Sequence, residues 1–255
     1  MEEVYKEVLD FVVSSGKRIK KKAGKIKELD LAKKEVTEED FIIERGIKKI
    51  IKRFNPKHEL FAEEENNKFP NAQDIWIADP ISGTKIFIEG KPHYAIVVAH
   101  MRNKEVQFAA VYDPSVDELY TAFLGKGAFL NGCKINVTKN EKDLKIIFNR
   151  SHVWKERIES EEMVKKLSKF DTQVNEERSF AVNYCYVALG KYDGFVAFTK
   201  DVFPEIAGSL IIKEAGGVFK TQSGENQLNP KECVFVGGNK FAYNQLKDLV
   251  KGVKR

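Results

Sequence analysis

Apolar residues recur at helical spacing from the start of the chain. Val4, Val8, Phe11, Val12 and Ile19, with Ser15 on the same face, predict a helix over 4–22. A loop follows, and Thr37 opens a second helix. Asp40, three residues on, makes a capping-box-like start with Asp in place of the usual Glu or Gln. Ile42, Ile43, Ile47, Ile50 and Ile51 form that helix's apolar face. The pattern then shortens to strands at 59–62, 75–78, 94–101, 106–112 and 118–123, the last three consecutive and so antiparallel neighbours. The stretch Lys126-Gly127-Ala128-Phe129-Leu130-Asn131-Gly132 reads as a turn-bearing segment, and 146–149 as a further strand.

The later chain alternates differently. It predicts helices at 161–170 and 179–189, a strand at 194–198, and a helix at 204–215 stopped by Gly216-Gly217. Strands at 218–220 and 234–237 and a closing helix at 239–250 complete it. Helices with a mostly antiparallel sheet, followed by a second mixed set, predict a layered α/β fold. The expected organisation is one compact unit of two packed halves: an N-terminal α+β half over 1–140, carrying most of the candidate chemistry, and a C-terminal α/β half over 141–255.

Composition narrows the function classes. The 255 residues are 42% hydrophobic and 32% charged, enough for a core and a solvated surface. The net charge of +5 owes much to Lys17, Arg18, Lys20, Lys21, Lys22, Lys25 and Lys27. That run reads as a solvated helix end, because no aromatic platform accompanies it, and nucleic acid is not expected as a partner. Neither a signal peptide nor a long apolar run is visible, so the expected location is cytoplasmic, with no membrane insertion. Cys133, Cys185 and Cys233 are far apart and odd in number, which predicts reduced, buried thiols.

Three segments carry candidate chemistry. Phe61-Ala62-Glu63-Glu64-Glu65 is an acidic cluster directly after an apolar strand. In Trp76-Ile77-Ala78-Asp79-Pro80-Ile81-Ser82-Gly83-Thr84-Lys85-Ile86-Phe87 a strand delivers Asp79 to its end. Ser82 there is expected to cap a helix whose first N–H groups can face a phosphate. The third is Asp201-Val202-Phe203-Pro204-Glu205-Ile206-Ala207-Gly208, followed by Glu214-Ala215-Gly216-Gly217. Singly, an acidic triplet is a solvated loop and an Asp-Pro is a turn. Together, hard oxygen donors at strand ends beside a helix start suit Mg²⁺ and phosphate.

In their order these segments resemble the inositol monophosphatase family over almost the whole chain. Thr37-Glu38-Glu39-Asp40 is similar to its Thr-x-x-Asp element, and Ala62-Glu63-Glu64 to its Gly-Glu-Glu. Residues 76–87 resemble its Asp-Pro-x-Asp-Gly-Thr-x-x-Phe signature, and Gly127-Ala128-Phe129-Leu130-Asn131-Gly132 its Gly-Ala-Phe-x-Asn-Gly turn. Residues 204–217 stand where it has Trp-Asp-x-x-x-Gly and Glu-Ala-Gly-Gly. The resemblance implies an αβαβα layered sandwich of the inositol monophosphatase and fructose-1,6-bisphosphatase type, a homodimer, and a Mg²⁺-dependent phosphomonoesterase. It implies that Glu63, Asp79 and the Ile81 carbonyl hold a metal ion, and that Asp40 and Thr84 orient the attacking water. It also implies that the N–H groups of Gly83 and Thr84 face the phosphate.

The chain departs from that pattern in specific places. The second signature Asp is Ser82, the Thr-Asn pair is Lys85-Ile86, and the late metal-binding Asp falls on Pro204. The acidic residue that contacts substrate hydroxyls falls near Ala197. One weakly bound Mg²⁺ is therefore expected, with two-metal catalysis impaired or lost. Asp201 is a candidate substitute ligand, and Lys85 a candidate fixed cation for the phosphate. Glu205 would need the helix to turn by about 100° and is the less favoured substitute. Two function classes stay open: a phosphomonoesterase acting on a small phosphorylated molecule, or a noncatalytic protein. The latter would be either a partner of the transcription machinery, as in a bacterial member of the family, or a phosphate-ligand sensor.

Overall fold

The computed structural model describes residues 1–29, 35–175, 177–225 and 231–254; the middle of the predicted first loop, 30–34, lies outside them. Helix α1 (Glu2–Lys20) starts two residues before the apolar spacing predicts. Glu2 and Glu3 occupy its first turn, where acids favour the positive helix end. Helix α2 (Glu38–Phe54) begins at the expected capping box. Asp40 Oδ2 accepts the backbone N–H and the hydroxyl of Thr37, each at 2.7 Å.

A seven-stranded sheet follows in chain order: β1 (Glu59–Ala62), β2 (Asp74–Ser82), β3 (Ala95–Arg102), β4 (Glu105–Asp113), β5 (Glu118–Phe123), β6 (Gly127–Leu130) and β7 (Cys133–Ile135). Only β1–β2 is parallel; the rest is an antiparallel meander. A short helix, α3 (Thr84–Ile88), branches off after β2. The stretch read as turn-bearing holds the β6–β7 hairpin, with the turn at Asn131-Gly132. The thiol expectation holds for Cys185, which is buried, whereas Cys133 is exposed at the start of β7.

The second sheet has the order β11-β12-β10-β8-β9, from β8 (Lys145–Arg150), β9 (Asp171–Asn175), β10 (Gly194–Phe198), β11 (Val218–Thr221) and β12 (Val234–Gly238). Strand β9 escapes a sequence reading because Asp-Thr-Gln-Val-Asn is polar. It is an edge strand that pairs with β8 alone. The helices of this half are α4 (Ile158–Leu167), α5 (Phe180–Ala188), α6 (Phe203–Glu214) and α7 (Lys240–Leu246).

Alternation along the strands stacks these elements in five layers. Leu60, Trp76, Ala78, Ile96, Val98 and Phe108 face α1 and α2. Their neighbours Phe61, Ile77, Val97, Ala99 and Ala109 face the opposite way, onto α5 and α6. The second sheet repeats the rule: Ile147, Phe195 and Ala197 meet α5 and α6, while Ile146, Phe148, Val196 and Phe198 meet α4 and α7. The result is the αβαβα sandwich, with α5 and α6 between the sheets. No described helix is long and apolar enough to cross a membrane.

Candidate functional site

A cleft of about 640 Å³ opens where β2 ends and where α3, α5 and α6 begin. Strand β2 slips in register against β3 between Asp79 and Ser82. Pro80 lies inside that slip and has no N–H to give a ladder, so the bulge turns the strand's end toward the cleft. The cleft collects Glu63, Asp79, Ile81, Ser82, Gly83, Thr84, Lys85, Asp201 and Pro204 from segments far apart in sequence.

Glu63 is placed by a residue that the motif reading overlooked. The Glu44 carboxylate, fully buried on α2, accepts the backbone N–H groups of Glu64 and Glu65 at 2.9 Å and of Asn66 at 3.0 Å. It also takes the Asn66 side-chain amide at 2.6 Å. Glu44 sits four residues after Asp40, on the same helix face, which was the available signal.

Asp79 is almost fully buried, and its Oδ1 has no hydrogen-bond partner. Burial above all, then the charges of Glu63 and Asp201, push its carboxyl well above the ordinary range, while a hydrogen bond from Ser82 opposes the shift. Asp40 stands behind the cleft wall, committed to Thr37. Burial, with Glu64 and Glu63 adding to it, pushes it up to about 7 against those hydrogen bonds. Thr84 donates its hydroxyl to the Ile81 carbonyl at 2.7 Å.

Three expectations change here. Ser82 does not cap the helix: it is the last residue of β2, and the N-cap is Gly83 at φ 83°. The hydroxyl of Ser82 instead accepts that of Ser179 at 2.8 Å. Ala197 faces the core rather than the cleft. Glu205, the less favoured substitute, is fully buried yet lines the cleft from the first turn of α6. Pro204 sits in the first turn of α6, where a missing N–H costs nothing.

The cleft also has a basic side, unread in the sequence: Arg150, Lys155, Arg178 and Lys200 line it with His152. Arg178 is held by Asn183 and Tyr192 at 3.2 and 2.8 Å. Carboxylates and basic side chains lining one cleft suit a cation and an anion side by side.

Among the described residues, no three histidine, cysteine or carboxylate side chains already converge as a metal cage. The donors the resemblance assigns to the first ion, the Glu63 and Asp79 carboxylates and the Ile81 carbonyl, all line the cleft. The orphaned Oδ1 of Asp79 and its nearness to Glu63 fit a hard cation that keeps part of its water shell.

The comparisons agree with this geometry. The model of the inositol monophosphatase family matches residues 1–253. A fructose-1,6-bisphosphatase/inositol-1-monophosphatase of Aquifex aeolicus is 32% identical over 216 residues, 81% of each chain. The Nus factor SuhB of Xylella fastidiosa is 31% identical over 83% of this chain and 79% of its own. A Thermotoga maritima IMPase structure superposes with a TM-score of 0.84 at 27% identity, covering 98% of this chain and 97% of that one. The chain belongs to the inositol monophosphatase family.

Proposed function

We propose that this protein is a Mg²⁺-dependent phosphate monoester hydrolase of slow turnover. Glu63, Asp79 and the Ile81 carbonyl would hold the tighter ion. The buried, unpartnered Oδ1 of Asp79 beside Glu63 is the observation that carries this reading. When bound, the ion supplies Lewis-acid chemistry and offsets phosphate charge. The N–H groups of Gly83 and Thr84 cradle the phosphate, and Lys85 adds charge from the rim. The Thr84 hydroxyl orients the Ile81 carbonyl, and Asp40 serves as the acid–base reserve behind Glu63. Ser82 and Pro204 bring no charge where the resemblance places carboxylates. An unreplaced ion charge there would slow the chemical step by roughly 10³-fold. The 1–140 half supplies the metal and phosphate groups, and the 141–255 half the basic side. Family membership supports a homodimer.

The test is phosphate release at graded Mg²⁺ and Mn²⁺ with inositol phosphate, fructose bisphosphate and adenosine bisphosphate. Slow, metal-dependent release from at least one is expected. No release from any would favour the second reading. That reading is a protein acting through a partner in the transcription machinery, supported by relatives named Nus factor SuhB at 28–34% identity.

A further inference from the structure

A second cavity, of about 370 Å³, is lined by β8, β9, the last turn of α5 and the residues just after it. Lys145 stands opposite Asp171 in the β8–β9 register, and Gln173 is two residues further along β9. The pleat therefore puts all three on one face. Tyr186, almost fully buried, closes the α5 side, and Lys191 Nζ lies 3.6 Å from the centre of its ring.

Arg178 lines both this cavity and the cleft. Its backbone is pinned by Asn175, whose Oδ1 accepts the Arg178 N–H at 3.1 Å and whose amide donates to the Arg178 carbonyl at 2.7 Å. Its Nη2 donates to the Tyr192 hydroxyl at 2.8 Å, and that hydroxyl donates on to Gln173. The guanidinium is thus held in place from both ends.

The lining carries three cations, Lys145, Arg178 and Lys191, and one carboxylate, Asp171. Among the described residues, Lys145 and Lys191 make no salt bridge. Like charges gathered round one hollow repel one another, and a bound anion relieves that repulsion. A planar guanidinium fork flanked by ammonium point charges suits phosphoryl oxygens, and the Gln173 amide offers a neutral donor. The space is that of a small metabolite.

We propose that this second cavity binds a small anion that carries a phosphoryl group and two or more negative charges, on Lys145, Arg178 and Lys191. None of the metal and phosphate groups assigned to the cleft lines it.

The experiment titrates the full chain, in chelator, with inorganic pyrophosphate and follows the protein by ¹⁵N NMR. It needs neither metal nor hydrolysis, so its outcome is independent of the phosphatase reading. Saturable shifts are expected at Gln173, Lys191, Tyr192 and the Arg178 Nε–H. Lys145→Ala and Lys191→Ala, both at exposed positions outside the cleft, should each weaken binding by about threefold, and together by about tenfold. Lys155→Ala combined with Lys200→Ala alters only the cleft and should leave these shifts in place. Citrate, an anion of similar charge without phosphorus, should bind more weakly. Shifts confined to Gly83, Thr84 and the cleft lysines, or equal affinity in the folded Lys145→Ala, Lys191→Ala double variant, overturn the site. So does the absence of saturable shifts at millimolar pyrophosphate. Citrate binding at the same residues as tightly as pyrophosphate overturns the phosphoryl assignment.

Discussion

Ser179 donates its hydroxyl to the hydroxyl of Ser82 over 2.8 Å, and both side chains are buried. The Ser179 oxygen also accepts the Ala181 N–H at 3.1 Å and caps α5. One side chain therefore joins the end of β2 to the start of a helix from the other half. Ser179→Ala should cost about 1–2 kcal/mol in urea unfolding, through the lost cap and the orphaned Ser82. A loss below about 0.5 kcal/mol would show that the link carries no stability.

Ser82→Asp places a second carboxylate beside buried Asp79. Without metal it should destabilise the fold by about 2–4 kcal/mol, the cost of an uncompensated buried charge. Added Mg²⁺ should recover most of this loss and raise the melting temperature more than in wild type. Thermal unfolding in chelator and in Mg²⁺ measures both; an equal Mg²⁺ response in the two proteins would count against a metal at Asp79.

Glu44→Ala removes the acceptor for three backbone N–H groups and one amide. The expected cost is about 3 kcal/mol or more. Tightest-ion affinity should fall with it, because Glu63 loses its anchor. Glu44→Gln keeps one acceptor oxygen and should fall between wild type and Glu44→Ala on both measures, read by urea unfolding and Mn²⁺ titration.

Gly83 has φ 83°, and a Cβ there would meet Ile86 Cδ1 at 3.2 Å and Ser179 Cβ at 3.4 Å. Gly83→Ala should cost about 1 kcal/mol in stability. It should also weaken phosphate binding in calorimetry, since the loop that presents the N–H groups must shift. Unchanged phosphate affinity in the folded variant would remove the cradle from this loop.

A pH effect is expected at a second buried cluster. His100 is fully buried, accepts the Tyr5 hydroxyl at Nδ1 (2.8 Å) and gives its Nε2 proton to Asp74 (3.0 Å). Burial pushes its pKa down to about 4, against the opposing pull of Asp74. The folded protein then binds fewer protons than the unfolded chain between pH 4 and the ordinary histidine value of about 6.5. This contribution is fully present above about 6.5 and lost as pH falls toward 4, and it amounts to about 3 kcal/mol. The raised carboxyls of Asp40 and Asp79 act in the opposite sense, so the readout is the difference in urea-stability slope between wild type and His100→Gln. Identical slopes would refute the assignment.

The sequence by itself determined the layered class, the strong helices and the residues that meet in the cleft. Periods of 3.6 and 2 report which face is buried, and Asp79-Pro80 followed by Gly83 announces a strand end and a turn whatever lies around them. It did not reveal β9, which is polar and held only by β8, or the cleft's basic side, whose arginines and lysines look like any solvated surface charge. It also misjudged Ser82 and Glu205. Whether Ser82 caps a helix or meets Ser179 depends on a residue 97 positions away. Whether Glu205 reaches the cleft depends on how α6 is seated between the sheets. Local propensity fixes neither, because both are settled by how two sheets and the helices between them pack, and by which buried oxygen is left without a partner when they do.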